Sequence, residues 1–297
     1  MNTEYVFQTS EAPRELVRLQ MLERIFDAGT QRRLLATGLT SGWHCLEVGA
    51  GAGSIVRWLE QRVGPSGKVV ALDTDPRFLR GSGSSTIEIL QGDICDTDLP
   101  LATFDLVHAR YVMIHIAEYQ RAFERMLRCV KPGGWVVLEE PDFQAARAVA
   151  GSEEGRASFG RVSEAIERMF SSLGMDHALG VRLPALFQRH DLTQLTVEHE
   201  GHLSAGGGMV AQMMKSTWSN TSAIRTSRWW YRARCSTTWA DSYSISSRSR
   251  KRICRGNRPR ATKRLRHRRV RAAAVRCTRQ HAGTHPSACM SACEHEC

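Results

Sequence analysis

Three carboxylates in the first hundred residues stand where short apolar runs end: Glu47, Asp73 and Asp93. Two positions after the first begins Gly49-Ala50-Gly51-Ala52-Gly53. A strand that turns tightly into a helix while its backbone approaches a ligand needs residues without a Cβ, so this segment reads as a ligand-cradling loop. Asp73 follows the run Lys68–Leu72 and is itself followed by Thr74. A carboxylate at that strand end can accept hydrogen bonds from both hydroxyls of a ribose. In Gln91-Gly92-Asp93-Ile94, Asp93 can accept from an exocyclic purine amine and Ile94 can pack on the ring. Glu47 argues against a pyrophosphate in the loop, which it would repel, and for a ligand that is positively charged at that end. Ser54 also stands where a dinucleotide fingerprint has its third Gly or Ala.

For these residues to share one rim, the strands that carry them must lie side by side. The apolar runs Trp43–Val48, Lys68–Leu72, Thr86–Leu90, Phe104–His108 and Trp135–Glu139 read as five strands. Helical stretches at Ser54–Val63, Pro76–Arg80 and Ala117–Val130 separate them, the last broken by Pro132-Gly133-Gly134. Strands alternating with helices predict βαβ units and a parallel sheet covered on both faces. Ahead of them, Glu11–Asp27 has helical spacing, and Thr30 is placed to cap a second short helix through Leu35. Beyond Asp142, helices near Glu153–Phe170 and Pro184–His190 lead to a sixth strand at Leu192–Glu198.

In order, the motifs E-x-G-x-G-x-G, A-L-D, G-D-I, F-D-L-V and K-P-G-G-W of residues 47–135 resemble those of the small-molecule, class I S-adenosylmethionine-dependent methyltransferases. The resemblance spans roughly residues 10–200. It implies a Rossmann-like α/β fold with a mostly parallel, doubly wound sheet, N-terminal helices and a helical insert after the fifth strand. It implies S-adenosylmethionine as cofactor, with Glu47, Gly49, Ala50 and Gly51 at the methionine end, Asp73 and Thr74 at the ribose, and Asp93 with Ile94 at the adenine. Arg110 and Tyr111 would lie beside the methyl group. The acceptor pocket would come from Tyr5–Leu35 and Phe143–His190.

Methyl transfer from a sulfonium is an in-line displacement with a good leaving group, so alignment supplies most of the catalysis and a base is optional. His108, Tyr111, His115, Glu140 and Asp142 lie near the expected site, and His115 is the first candidate for a catalytic base. A small-molecule acceptor is the expected partner.

The formal charge of +11 over 297 residues first suggests nucleic acid, but it is unevenly spread. Residues 218–297 hold 19 Lys+Arg against 3 Asp+Glu, and the preceding body is net acidic. The acidic body argues against a nucleic-acid substrate. Three domains are expected: an N-terminal helical cap over 1–40, the cofactor-binding domain over 41–215 and an Arg-rich tail over 216–297. With only 6 Leu, Ile, Val and Phe in its last 80 residues, the tail has too little apolar material for a core. It resembles the product of a reading-frame shift near Lys215–Asn220, with a basic nucleic-acid-binding arm as the alternative. The final antiparallel strand of the sheet is therefore expected to be missing, and an inactive cofactor-binding remnant is the alternative to an enzyme. Cys289, Cys293, His295 and Cys297 match no common zinc spacing, so no metal is expected. No apolar stretch is long enough to span a bilayer and Met1–Arg14 holds no secretory signal, so the expected location is cytoplasmic, with the nine cysteines reduced.

Overall fold

The alternating pattern resolves, in a computed structural model, into a seven-stranded sheet flanked by helices; the structure describes residues 12–79, 84–190, 192–201, 204–220 and 271–277. In chain order the elements are α1 (Ala12–Leu35), β1 (His44–Val48), α2 (Ser54–Val63), β2 (Lys68–Asp73), β3 (Ile87–Gln91), β4 (Phe104–Arg110), α3 (Tyr119–Cys129) and β5 (Val130–Glu139). The rest are α4 (Glu153–Ser172), α5 (Leu179–Gln188), β6 (Thr193–His199), α6 (Met209–Asn220) and β7 (Arg271–Cys277). The sheet order is β3-β2-β1-β4-β5-β7-β6, and the first five strands are parallel. This is the expected mostly parallel, doubly wound architecture.

Period-two alternation divides the strands between two apolar layers. Leu46, Val48, Val107, Ala109, Val136 and Leu138 join the layer of α3, α4 and α5. Cys45, Val69, Ala71, Leu106 and Val137 join Ile55, Val56, Leu59 and Val63 of α2. The second face also carries Glu47, His108 and Arg110, so charged groups are built into it between apolar neighbours. In register, Glu47 lies opposite His108 and Arg110 opposite Glu139.

Three expectations are corrected. The N-terminal segment is one continuous helix, because the Thr30 hydroxyl donates back to the Phe26 carbonyl at 3.2 Å instead of capping a new helix. α3 ends by Cys129 as expected, but Pro132-Gly133-Gly134 is not a break between helix and strand and lies inside β5, where the pairing with β4 shifts between Phe104 and Leu106 and Gly133 takes φ +80°. The final antiparallel strand is present: β7 pairs antiparallel with β5 on one side and β6 on the other. Its Ala-Ala-Ala-Val centre holds a single β-branched residue and no aromatic one, so backbone pairing on both edges defines it. Apart from 216–220 and 271–277, the proposed tail, its frame shift or basic arm and its Cys/His cluster lie outside the described residues.

Candidate functional site

The glycine loop leaves β1 at the carboxyl rim of the sheet. Gly49 has φ +69°, and a Cβ there would stand 2.2 Å from Val112 Cγ2, so conformation and space both require glycine. Its amide donates to the Leu72 carbonyl at 2.7 Å, tying the loop to β2. The Asp73 carboxylate then closes the cradle, accepting Gly51 N–H at 2.8 Å on Oδ2 and Asp75 N–H at 2.8 Å on Oδ1. Burial pushes the Asp73 carboxyl above its ordinary range, and these two amides act in the opposite direction. Each oxygen keeps lone-pair capacity for a further donor.

α1 lies across this loop. Glu23 Oε1 accepts Ser54 N–H at 3.0 Å, supplying the helix-capping acceptor that Gly53 lacks at the start of α2. The Leu19 side chain is 3.4 Å from where a Gly51 Cβ would be. Arg18 and Glu15 form a buried pair at 2.6 Å, close enough for Glu15 to act on Asp73 and Arg18 on His115. The sequence marks these α1 residues only as charges set among core-facing positions of an apolar helix. No motif connects them to the loop.

Of the remaining expected cofactor residues, Ala50 is half-buried in the cradle and Thr74 is exposed beside Asp73. Gly92 N–H donates to the Asp73 carbonyl at 2.9 Å, which brings the Asp93 segment to the same rim. Asp93 Oδ1 accepts Cys95 N–H at 2.8 Å, and Ile94 is packed into the core with 3% exposure. Arg110 is drawn away from this group toward α1, with Nη2 2.9 Å from Asp27 Oδ1 and Nη1 2.8 Å from Thr30 Oγ1.

Glu47 is 4% exposed, and its Oε2 lies 2.6 Å from His108 Nδ1. The other imidazole nitrogen is 3.3 Å from Glu139 Oε1, and Arg33 Nη1 of α1 is 3.1 Å from Glu139 Oε2. Arg33 also reaches Glu200 at 2.5 Å. A buried chain of alternating charge thus runs from the glycine loop to the segment after β6. Burial opposes the imidazolium of His108, but the two carboxylates outweigh it and raise its pKa to about 9.

Beyond β4 the chain turns through Tyr111 at φ +57°, its ring 5.1 Å from that of Phe26. Glu140 holds this turn, with Oε1 accepting Val112 and Met113 N–H at 3.1 and 2.8 Å and Oε2 accepting Ile114 N–H at 3.1 Å. Burial pushes its carboxyl up to about 8, against the pull of those three amides. In Glu140→Gln the amide NH2 must face one of these N–H groups. The expected cost is about 1–3 kcal/mol, read from urea unfolding.

His115 lies on the same turn, its Nδ1 shut off from solvent and its ring 6.5 Å from that of Phe170. Burial, and then the Arg18 charge, lower its pKa to about 3, so the ring is neutral. A base of that strength is far from the poise that favours proton transfer at neutral pH. The structure therefore gathers Glu47, Gly49, Ala50, Gly51, Asp73, Thr74 and the Asp93 segment at one rim, with His115 near the Arg18 end of α1.

Comparison with known proteins agrees with this geometry. Residues 46–138 match the family model of a methyltransferase domain. The chain is 32% identical over 101 residues to methyltransferase str3 of Strobilurus tenacellus, covering 33% of this chain and 35% of that one. It is 30% identical over 123 residues to a demethylmenaquinone methyltransferase of Lactococcus lactis, covering 39% and 48%. The matches thus span less than half the length of these curated relatives. Among solved structures, the complex between the Haloferax volcanii Trm112 methyltransferase activator and a methyltransferase aligns with TM-score 0.50 at 13% identity, covering 88% of this chain and 94% of that one. That likeness supports the fold.

Proposed function

We propose that this chain, a class I S-adenosylmethionine-dependent methyltransferase by its domain and fold, transfers a methyl group to a small-molecule acceptor. The observation that carries the reading is the junction of Gly51 N–H with the Asp73 carboxylate at 2.8 Å, which sets a ribose-binding acid against a Cβ-free cradle. The cofactor fits these residues: Gly49 and Gly51 allow the tight loop that brings backbone toward its amino-acid end, Glu47 supplies a counter-charge, and Asp73 can accept from ribose hydroxyls. Asp93 is assigned to the adenine amine, and Thr74 to the ribose. Ile94 supports the Asp93 turn from the core instead of stacking openly on a ring, and Arg110 braces α1. When bound, S-adenosylmethionine supplies an electrophilic methyl group with a neutral thioether as leaving group.

Catalysis on this reading is mainly orientation. α1 lies over the loop through Leu19 and Glu23, while Glu140 holds Val112 against Gly49. His115 is assigned a positioning role near the reacting groups, because its neutral, weakly basic ring suits packing better than proton abstraction. A buried thiol set at Cys45, Cys95 and Cys129 accords with a reducing, cytoplasmic location. Among the described residues no helix is long and apolar enough to cross a membrane.

For the acceptor we assign the cavity of about 190 Å³ lined by Phe143, Phe159, Val162, Ser163, Ile166 and Met214. Phe170 connects it to the site, its ring 5.9 Å from Phe143 and 6.5 Å from His115. An apolar cavity of roughly 150 Å³ accepts a benzene ring, and Gln144, Glu164, Glu167 and His177 also line this one, so it suits an acceptor with a single ring that carries polar groups. Ser163→Phe is expected to raise the acceptor KM about tenfold or more by filling that space, with cofactor affinity unchanged. A screen of candidate metabolites with methyl-labelled cofactor tests the activity and supplies the acceptor for that measurement. Labelling of nucleic acid alone would replace the small-molecule reading.

A further inference from the structure

His108 is fully buried at the middle of β4, yet it stands between two carboxylates from the neighbouring strands. Its Nδ1 is 2.6 Å from Glu47 Oε2 on β1, and its Nε2 is 3.3 Å from Glu139 Oε1 on β5. Only the imidazolium can donate at both nitrogens. The other charges that meet this cluster are Arg33 of α1, which pairs with Glu139, and Arg110 of β4, which acts on Glu139 and is itself held by Asp27 of α1. Arg33 is in turn bound by Glu198 and Glu200. Glu47 therefore has one close side-chain partner among these groups, and that partner sets where its carboxylate lies.

We propose that His108 is a positioning residue for the cofactor's methionine end, holding the Glu47 carboxylate in place beside the glycine loop for the cofactor's amino group. The inference rests on the assignment of Glu47 to that end of S-adenosylmethionine. A free glutamate at this position can take several rotamers. Bridged to Glu139 through the His108 ring, it is confined to one. The bridge also explains how two carboxylates tolerate one apolar face: His108 lies between them and Arg33 neutralises the outer one.

The test compares two ligands that share the nucleoside and differ at the amino-acid end, S-adenosylhomocysteine and methylthioadenosine, by calorimetric titration of the full chain. His108→Gln removes the donor to Glu47, and a loss of about tenfold or more for S-adenosylhomocysteine is expected, with methylthioadenosine affinity preserved. His108→Asn keeps an amide donor near the Nδ1 position, and partial recovery is expected. Equal losses for both ligands in either variant, or none, overturn the inference, since a packing role would not distinguish them. Should neither variant fold, the imidazole resonances of His108 in the parent decide. They are expected to shift on adding S-adenosylhomocysteine and to stay in place with methylthioadenosine, and unmoved resonances in both titrations overturn it. Failure of the parent to bind either ligand would instead remove the underlying cofactor assignment.

Discussion

Replacing Asp73 with alanine is expected to lower affinity for S-adenosylmethionine by about a hundredfold or more, measured by calorimetric titration. Hydrogen bonds to a charged acceptor are worth about 1.5–3 kcal/mol each, and two ribose hydroxyls lose their acceptor at once. The same change removes the acceptor of Gly51 and Asp75 N–H, both now at 2.8 Å, so the cradle loosens as well. Asp73→Asn separates the two effects, since its amide keeps one acceptor oxygen and the side-chain shape. pH adds a second signature. Burial raises the Asp73 carboxyl above its ordinary range, so the ionised form is lost earlier than usual on acidification. Affinity should therefore fall as pH drops through that raised range, and the fall should be absent in Asp73→Ala. Binding as tight in Asp73→Ala as in the parent would refute the ribose assignment.

Arg33→Ala should be the most destabilising of the substitutions considered, by about 3–5 kcal/mol in urea unfolding, because removing one partner of a buried pair leaves the other charge uncompensated. Arg33 and Glu139 side chains are each 4% exposed and 3.1 Å apart, and Arg33 also joins α1 to Glu200. Burial alone would raise the Glu139 carboxyl, but His108, Arg33 and Arg110 outweigh it and hold it down to about 2. A depressed carboxyl stabilises the fold above its unfolded range and loses that contribution as pH falls toward the folded value. Acid unfolding of the parent should thus extend low, and in Arg33→Ala the smaller contribution should be fully lost at a higher pH than in the parent. A loss below about 1 kcal/mol, or an unchanged acid limb, would show that solvent reaches Glu139 and screens it.

The local parts of this molecule are legible in its residues. The loop at Gly49–Gly53, the acid at the end of β2, the five parallel strands and the helices α2 and α3 follow from patterns confined to a few neighbouring positions, while the helix expected over Pro76–Arg80 is only a 3-10 turn at Pro76–Phe78. A turn that needs no Cβ, a period of two and a helical period each leave such a signature. The insert helices and β6 are visible for the same reason, with ends displaced by one to several residues. β7 is not, since its identity comes from pairing on two edges and its alanines carry no strand signal of their own. The single helix through Thr30 is also illegible, because a threonine that caps and one that bonds back to the preceding turn look alike in sequence.

Sequence by itself thus determined the fold class and the local form of the glycine loop and the β2 end, because the demands of a tight turn and a strand-end carboxylate are met within short segments. Only the tertiary structure decided what the buried charges do. Glu47 meets His108 across 61 positions, His108 meets Glu139 across 31, and Arg33 meets Glu200 across 167. It also placed Arg110 against Asp27 of α1 and shut the His115 Nδ1 away from water. The physical reason is that the charge state and partner of a buried group depend on whichever strands and helices enclose it, and sheet order, not spacing along the chain, sets that enclosure.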